Sequence, residues 1–308
     1  MMRAVLLRMS RSRSLERWIK RRRFARRAVR RFMPGEDVED ALRAADTLGR
    51  RGIGVVFTEL GENVETENDA DRVGSHYEHV LERIAALALD AEISVKATHL
   101  GLDLDPAVAR RNLLRLVRKA DELDDMVWVD MEDSSYVDRT LDLVRAAREH
   151  SPRVGVCLQA YLHRTPDDLD SLKDPPTRIR LVKGAYREPP RHAIQKKKDV
   201  DAAFHDLAIR MLRDSHYVNA ASPVFGTHDD RLIERIRESA CQYHVGPARF
   251  EFHMLYGIRQ DLQEWLNAVG AGVRVLISYG EHWYPWYVRR LAERPANLWF
   301  VAKQLVRK

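Results

Sequence analysis

Residues 53–97, IGVVFTELGENVETENDADRVGSHYEHVLERIAALALDAEISVKA, hold a complete strand–helix–strand unit. Ile53–Thr58 is a β-branched and aromatic run, Asp69–Leu89 repeats apolar residues at the spacing of a helix face, and Ile93–Ala97 is β-branched again. Two short apolar strands joined by a long amphipathic helix read as a parallel pair with a crossover. The same alternation continues downstream. Further candidate strands are Met126–Met131, Val154–Ala160, Ile179–Lys183, Ser222–Gly226, Phe250–Leu255 and Val273–Ser278. Between them lie helical patterns at Pro106–Asp121, Tyr136–Glu149, Asp199–Asp214, Asp229–Ala240 and Gln260–Gly270. Eight strands with helical crossovers predict an α/β fold, a (β/α)₈ TIM-type barrel over residues 51–308. Pro223 interrupts the sixth strand, because proline lacks a backbone donor for the ladder.

Upstream, Pro34, Gly35 and the acidic pair Glu36-Asp37 open a helix through Leu48, ended by Gly49 and Gly52. Residues 1–50 thus form a separate helical segment. Its first 31 residues carry thirteen of the chain's 52 basic side chains and one of its 46 acidic ones, so the rest of the chain has a net charge of −6. Leu15, Trp18, Ile19, Ala25, Val29 and Phe32 form an apolar stripe among these arginines. The helix either packs this stripe on the body or lies on an anionic membrane surface at the inner face of the membrane. Nucleic acid is not expected, as no interleaved aromatics or nucleic-acid motif accompany the charge.

Cys157 and Cys241 are the chain's two cysteines, and neither stands in a CxxC, which argues against a disulfide framework or a thiolate zinc site. A reducing cytoplasm fits. No apolar stretch is long enough for a signal-peptide core or a transmembrane helix. Gly52-Ile53-Gly54 lacks the third glycine of a dinucleotide fingerprint, and no GxxxxGK[ST] occurs. His76 and His79 form an HxxH that reads as a polar helix surface, and no metal is expected.

Polar residues gather at the C-terminal ends of the strands: Glu59, Lys96, Asp130, Gln159, Lys183, Thr227, His228, His253 and Tyr279. In a barrel these would share the rim where catalysis takes place. Lys96 and Asp130, on neighbouring strands, are expected to pair, since either charge buried alone is costly. A rim salt bridge with no catalytic part is the alternative. The helix Trp283–Glu293, placed over the barrel mouth, carries adjacent Arg289 and Arg290 with Glu293 within reach of both. Such guanidinium forks suit a carboxylate.

Arg180-Leu-Val-Lys-Gly-Ala-Tyr186 resembles the RLVKGAY signature of the proline dehydrogenase family. In the family's order it is accompanied by Lys96 in Val-Lys-Ala-Thr, Asp130-Met-Glu132, Gln159-Ala-Tyr161, Thr227-His228-Asp229, Phe250-Glu-Phe-His-Met-Leu-Tyr-Gly257 and Arg289-Arg290-Leu-Ala-Glu293. The resemblance runs from about residue 35 to the C-terminus. It implies noncovalent FAD across the C-terminal face of a distorted barrel. It also implies oxidation of proline to Δ1-pyrroline-5-carboxylate by hydride transfer to the flavin, with electrons passed to a quinone. Arg289, Arg290 and Lys96 would then clamp the substrate carboxylate, Asp130 would orient Lys96, and Tyr186 and Leu255 would wall the ring. Met131, Gln159, Arg180, Val182, Gly184, Ala185, Thr227, His228 and Glu293 match positions that touch or support the flavin.

The sequence departs from the family at four places around this site. Leu276 stands where the family has a tyrosine over the substrate ring, and Trp286 replaces another tyrosine. Ser278 replaces a proline, and His253 a glutamine. Losing a tyrosine hydroxyl changes what a pocket discriminates, so a substituted proline or another cyclic amino acid is the alternative substrate. A barrel without turnover, acting through its basic helix on a membrane or partner, is the reading from a different class.

Overall fold

The computed structural model describes residues 29–62, 64–215, 221–284 and 286–288. Its centre is a closed, wholly parallel barrel of eight strands in sequence order: β1 Gly54–Glu59, β2 Ala91–Lys96, β3 Val127–Asp130, β4 Val154–Gln159, β5 Arg178–Val182, β6 Val224–Gly226, β7 Glu251–Leu255 and β8 Gly272–Tyr279. Closure is made by β1 on β8, where Val56 pairs with Leu276 and Glu59 with Tyr279. The helices are α1 Val38–Gly49, α2 Glu67–Ala86, α3 Pro106–Glu122, α4 Val137–Arg148, α5 Thr165–Ser171, α6 Lys197–Asp214, α7 Asp230–Gln242 and α8 Gln260–Ala268. All eight expected strands are present within a few residues of their expected bounds. The seven-residue helix α5 was not anticipated, being too short to show a helical period. In β6, pairing starts immediately after Pro223, whose carbonyl still accepts from the Glu251 N–H at 3.0 Å.

Local chemistry explains where helices begin. Thr66 caps α2 by accepting from the Asp69 N–H at 3.1 Å, and Asp105 caps α3 by accepting from the Ala107 N–H at 2.8 Å, with Pro106 in its first turn. Each strand then sends alternate residues to opposite sides. The outward set, including Val55, Phe57, Ile93, Val95, Val127, Val129, Val156, Leu181, Phe225, Phe252, Val275 and Ile277, joins the inner faces of the helices in one large core. Leu42, Ala45 and Leu48 of α1 belong to the same core.

A smaller apolar cluster holds Val29, Met33, Leu60, Trp283, Tyr284, Trp286, Tyr287 and Val288, with Phe32 packed on it 6.2 Å from Tyr287. The last residues of the expected N-terminal stripe, Val29 and Phe32, therefore pack on the body. The remainder of that basic segment lies outside the described residues.

Inside the barrel the apolar content is small: Val56, Met126, Trp128 and Val224, with Leu276 against them. Gly155 of β4 makes room for this layer. A Cβ there would lie 2.7 Å from the Arg178 carbonyl oxygen, 2.8 Å from Trp128 Cζ3 and 2.9 Å from Met126 Cε. Backbone and a buried indole cannot retreat cheaply, so Gly155→Ala should destabilise the protein by about 1–3 kcal/mol. The check is its thermal midpoint, and an unchanged midpoint contradicts this packing.

Candidate active site

Much of the rest of the barrel interior is polar or charged. At its N-terminal end, Arg178 donates to Glu92 and to Glu251, each at 2.8 Å, and Arg274 Nε lies 3.4 Å from both carboxylates. Glu92 also accepts from Trp128 Nε1 at 2.6 Å. Trp128 is fully buried, with the guanidinium of Arg178 5.3 Å and that of Arg180 5.0 Å from its ring centroid. Above it, Arg180 donates to Ser94 Oγ at 2.8 Å, pairs with Asp130, and brings Nη1 within 3.4 Å of His253 Nδ1. Burial pushes the Glu251 carboxyl up, but His253, Arg178 and Arg274 outweigh it and hold it at about 2.

The expected Lys96–Asp130 pair is not made. Asp130 takes Arg180, and Lys96 Nζ donates instead to Glu62 Oε1 at 2.9 Å and lies 3.5 Å from the Gly61 carbonyl oxygen. Arg180 reaches Asp130 from β5 across the barrel, and the segment after β1 folds back over Lys96, so each charge finds a nearer partner than its strand neighbour. His99 buttresses that segment: a Cβ on Gly61 would lie 2.3 Å from its Nε2. Burial, followed by Lys96 and His282, holds the His99 imidazole down at about 4.

Around the mouth, Gln159 donates to the Met131 carbonyl at 3.4 Å, while its buried Oε1 has no hydrogen-bond partner among the described residues. Glu132 accepts from the Thr98 N–H at 3.1 Å and hydroxyl at 2.8 Å. Val182 is half-buried at the end of β5. Gly184 then turns with φ +107°, and a Cβ there would lie 2.3 Å from the Tyr161 ring. That turn starts the segment carrying exposed Ala185 and half-buried Tyr186. The segment is tied down by Glu188, which accepts from the Ser134 N–H at 2.7 Å and hydroxyl at 2.6 Å. Thr227 is buried and accepts from the Asp229 N–H at 3.2 Å, and His228 Nε2 accepts from the Leu255 N–H at 2.8 Å. Leu255 and Leu276 are half-buried, Ser278 is buried, and Trp286 sits in the apolar cluster on Leu60. Arg289, Arg290 and Glu293 lie outside the described residues.

Not every polar strand end faces the mouth. Glu59 and Tyr279 point outward toward α2, where His76 Nε2 lies 2.8 Å from the Tyr279 hydroxyl and 4.0 Å from Glu59. His76 is therefore half-buried against the barrel and not on a free surface, whereas His79 is exposed. Lys183 pairs with Asp201 and Asp229, and His253 lies mid-strand, one layer below the rim. Sequence reasoning passed over Glu92, Trp128, Arg178, Glu251 and Arg274. The available signal was polar residues two apart within strands, Glu92-Ser94-Lys96, Arg178-Arg180 and Glu251-His253, which places them on one face.

The arrangement is a water-shielded polar well with cations near its C-terminal mouth and an unfilled acceptor beside them. It can bind and orient an anionic or polar planar ligand. The well holds few groups suited to proton transfer, since burial, against the pull of Glu251, keeps His253 neutral at physiological pH, with its pKa at about 4.

Three comparisons with known proteins follow from the sequence and the fold. The chain matches the family model described as proline dehydrogenase over residues 41–303. Proline dehydrogenase 1 of Bacillus subtilis (strain 168) is 34% identical over 308 residues, covering 100% of both chains. The proline dehydrogenase of Deinococcus radiodurans is 36% identical over 285 residues, 90% of this chain and 89% of that one. Among solved structures, proline utilization A from Bdellovibrio bacteriovorus, inactivated by N-propargylglycine, superposes with a TM-score of 0.80 at 23% identity. That match covers 87% of this chain and 33% of the other. A bifunctional proline utilization A protein gives 0.73 at 25% identity over 91% and 32%. The chain thus spans about a third of those longer proteins, and the likeness at 23% identity bears on the barrel fold.

Outside the well, burial raises the Glu59 carboxyl from 4.5 to about 7. A raised carboxyl favours the folded state while protonated, so this contribution is present below pH 4.5 and is lost as pH rises through 7. Glu59→Gln should match the wild-type thermal midpoint near pH 4 and exceed it near pH 8. A midpoint difference that stays constant across that range contradicts the assignment.

Proposed function

The chain belongs to the proline dehydrogenase family, and on that premise we propose that it oxidises L-proline to Δ1-pyrroline-5-carboxylate with FAD held at the C-terminal mouth of the barrel. When bound, the flavin supplies the electron sink that accepts a hydride from the ring carbon beside nitrogen. The protein's task is then to hold the carboxylate, set the ring against the cofactor and exclude water.

The observation that carries this reading is the juxtaposition of buried Arg180, the unpartnered Gln159 Oε1 and Lys96 at one rim. A flavin ring edge presents both acceptors and an N–H donor, so a buried guanidinium and an orphan amide oxygen suit it. Val182, Gly184, Ala185, Thr227 and His228 would support the cofactor from this end of the barrel, and Met131, whose side chain packs in the outer core, would do so through its backbone. Lys96 would exchange Glu62 for the substrate carboxylate. Arg289 and Arg290 are assigned to that carboxylate, and Glu293 to holding them, on their sequence motif. Tyr186 and Leu255 would wall the substrate ring. Asp130, which pairs with Arg180, would balance the charge of that guanidinium more directly than it orients Lys96.

We assign the electrons to a quinone in a cytoplasmic protein; contact with an anionic membrane surface through basic residues 1–31 is the alternative to packing of that segment on the body, where Val29 already lies. Among the described residues, no helix is long and apolar enough to cross a membrane.

A second substrate reading has its own support. Leu276 is half-buried inside the barrel against the Val56–Trp128–Val224 layer, and it offers an apolar wall with no hydroxyl. Trp286, a second departure, packs in the separate apolar cluster on Leu60. A ring-substituted proline or another cyclic amino acid would suit such a wall.

Anaerobic addition of L-proline should bleach the visible absorbance of the flavin-loaded protein, with hydroxyproline, a methylproline and pipecolate compared in parallel. Bleaching by none of them sinks the enzymatic reading. Leu276→Tyr should change kcat/KM for proline relative to the preferred analogue by about tenfold or more. An unchanged ratio makes Leu276 a neutral substitution.

A further inference from the structure

Arg180 is 3% exposed, and a guanidinium at such depth must be held on every side or it becomes a large cost. Asp130 and Ser94 hold it from the mouth side, and the Trp128 face lies beneath it. Beside it also lie the buried Cys157 thiol and His253, itself 4% exposed.

The chemistry of its two neighbours fixes the state of that imidazole. A guanidinium can only donate, so Nδ1, 3.4 Å from Arg180 Nη1, must present its lone pair. An ionised carboxylate can only accept, so Nε2, 3.3 Å from Glu251 Oε2, must carry the proton. Both demands are met by one neutral tautomer. Burial holds the imidazole at about 4, with Glu251 drawing it up and Arg180 pressing it down, so this tautomer persists at neutral pH. Both contacts are long, so what they supply is direction more than strength.

Glu251 is in turn fixed by Arg178, Arg178 by Glu92, and Glu92 by the indole N–H of Trp128, the ring on which Arg180 lies. The contacts therefore close a loop: Arg180, His253, Glu251, Arg178, Glu92, Trp128 and back to Arg180. Through such a loop a displacement at one member bears on the guanidinium, because each member is oriented by the next.

We propose that His253 is a positioning residue for Arg180: its Nδ1 lone pair, aimed by the Glu251 tether, fixes the direction in which the guanidinium is presented to the barrel mouth. Its consequence for catalysis rests on the flavin reading above, in which that guanidinium meets the cofactor. A cation held against the reduced, electron-rich flavin favours reduction, so its displacement makes the midpoint potential more negative.

Two substitutions separate position from bulk. His253→Gln offers an amide oxygen to Arg180 and an amide N–H to Glu251, repeating the acceptor and donor pattern. His253→Leu fills similar space with neither function. The first measurement uses cofactor-free protein labelled with ¹⁵N-arginine. The Arg180 side-chain resonances are identified by their loss in Arg180→Lys. Wild type and H253Q should show separate, slowly exchanging Nη signals for Arg180, and H253L should show them averaged. The second measures the bound flavin. H253L should weaken FAD binding at least about fivefold, the scale of one ordinary hydrogen bond, and shift the midpoint potential negative, while H253Q keeps both near wild type.

Resolved Arg180 signals together with a wild-type potential in H253L overturn the proposal. So does an H253Q that behaves like H253L. If H253L does not fold, His253→Met, unbranched and adaptable, takes its place with the same expectations. If the wild-type protein binds no FAD, the functional reading falls, and the arginine resonances alone decide the positioning role.

Discussion

Glu92 is a buried carboxylate in the floor of the barrel, and the interior is organised around its neutralisation. Taking such a charge out of water costs several kcal/mol unless it is paired and hydrogen-bonded. Trp128 and Arg178 donate to it directly, and Arg274 stands beside it. Two cations near one anion demand further negative charge, which Glu251 supplies beside both and Asp90 supplies to Arg274 at 2.7 Å. The indole that donates to Glu92 then becomes the platform for Arg180, which needs Asp130 to balance it. Each charge makes the next one tolerable, from the floor of the barrel to its mouth.

This division of labour explains how the fold can afford a polar centre. Outward-facing strand residues and the helices form a continuous apolar core that holds the barrel together. The inward face is thereby released from the usual requirement for stacked branched side chains. It carries instead a column that rises through Arg180 to Lys96, Asp130 and the unfilled acceptor of Gln159 at the strand C-termini. Stability resides in the outer layer, and recognition in the inner one.

Period and spacing made the barrel legible. β-Branched runs alternating with amphipathic stretches located all eight strands, because backbone pairing depends on local pattern. The mouth was legible only in part. Residues such as Gln159, Arg180 and Gly184 could be carried over from a motif, yet the partner each charge would choose could not. Lys96 and Asp130 sit on adjacent strands, but Glu62 and Arg180 reach them from a loop and from across the barrel. Such choices depend on which long side chain arrives first in three dimensions, and sequence spacing does not encode that. Glu59 and Tyr279 show the same limit: both end strands, and the pleat turns both away from the mouth toward His76. The floor lattice was overlooked for a different reason. Its members lie at the beginnings of strands, away from the end where catalytic residues are sought, although their spacing of two already marked a shared face.

A crystal structure of the protein with FAD and tetrahydrofuran-2-carboxylate, in which oxygen replaces the ring nitrogen of proline, decides whether the column serves the mouth. The flavin ring should lie in contact with Arg180, and Lys96 should have left Glu62 for the ligand carboxylate. Ligands seated away from this rim, or Lys96 still paired with Glu62 beside a bound carboxylate, would contradict the account.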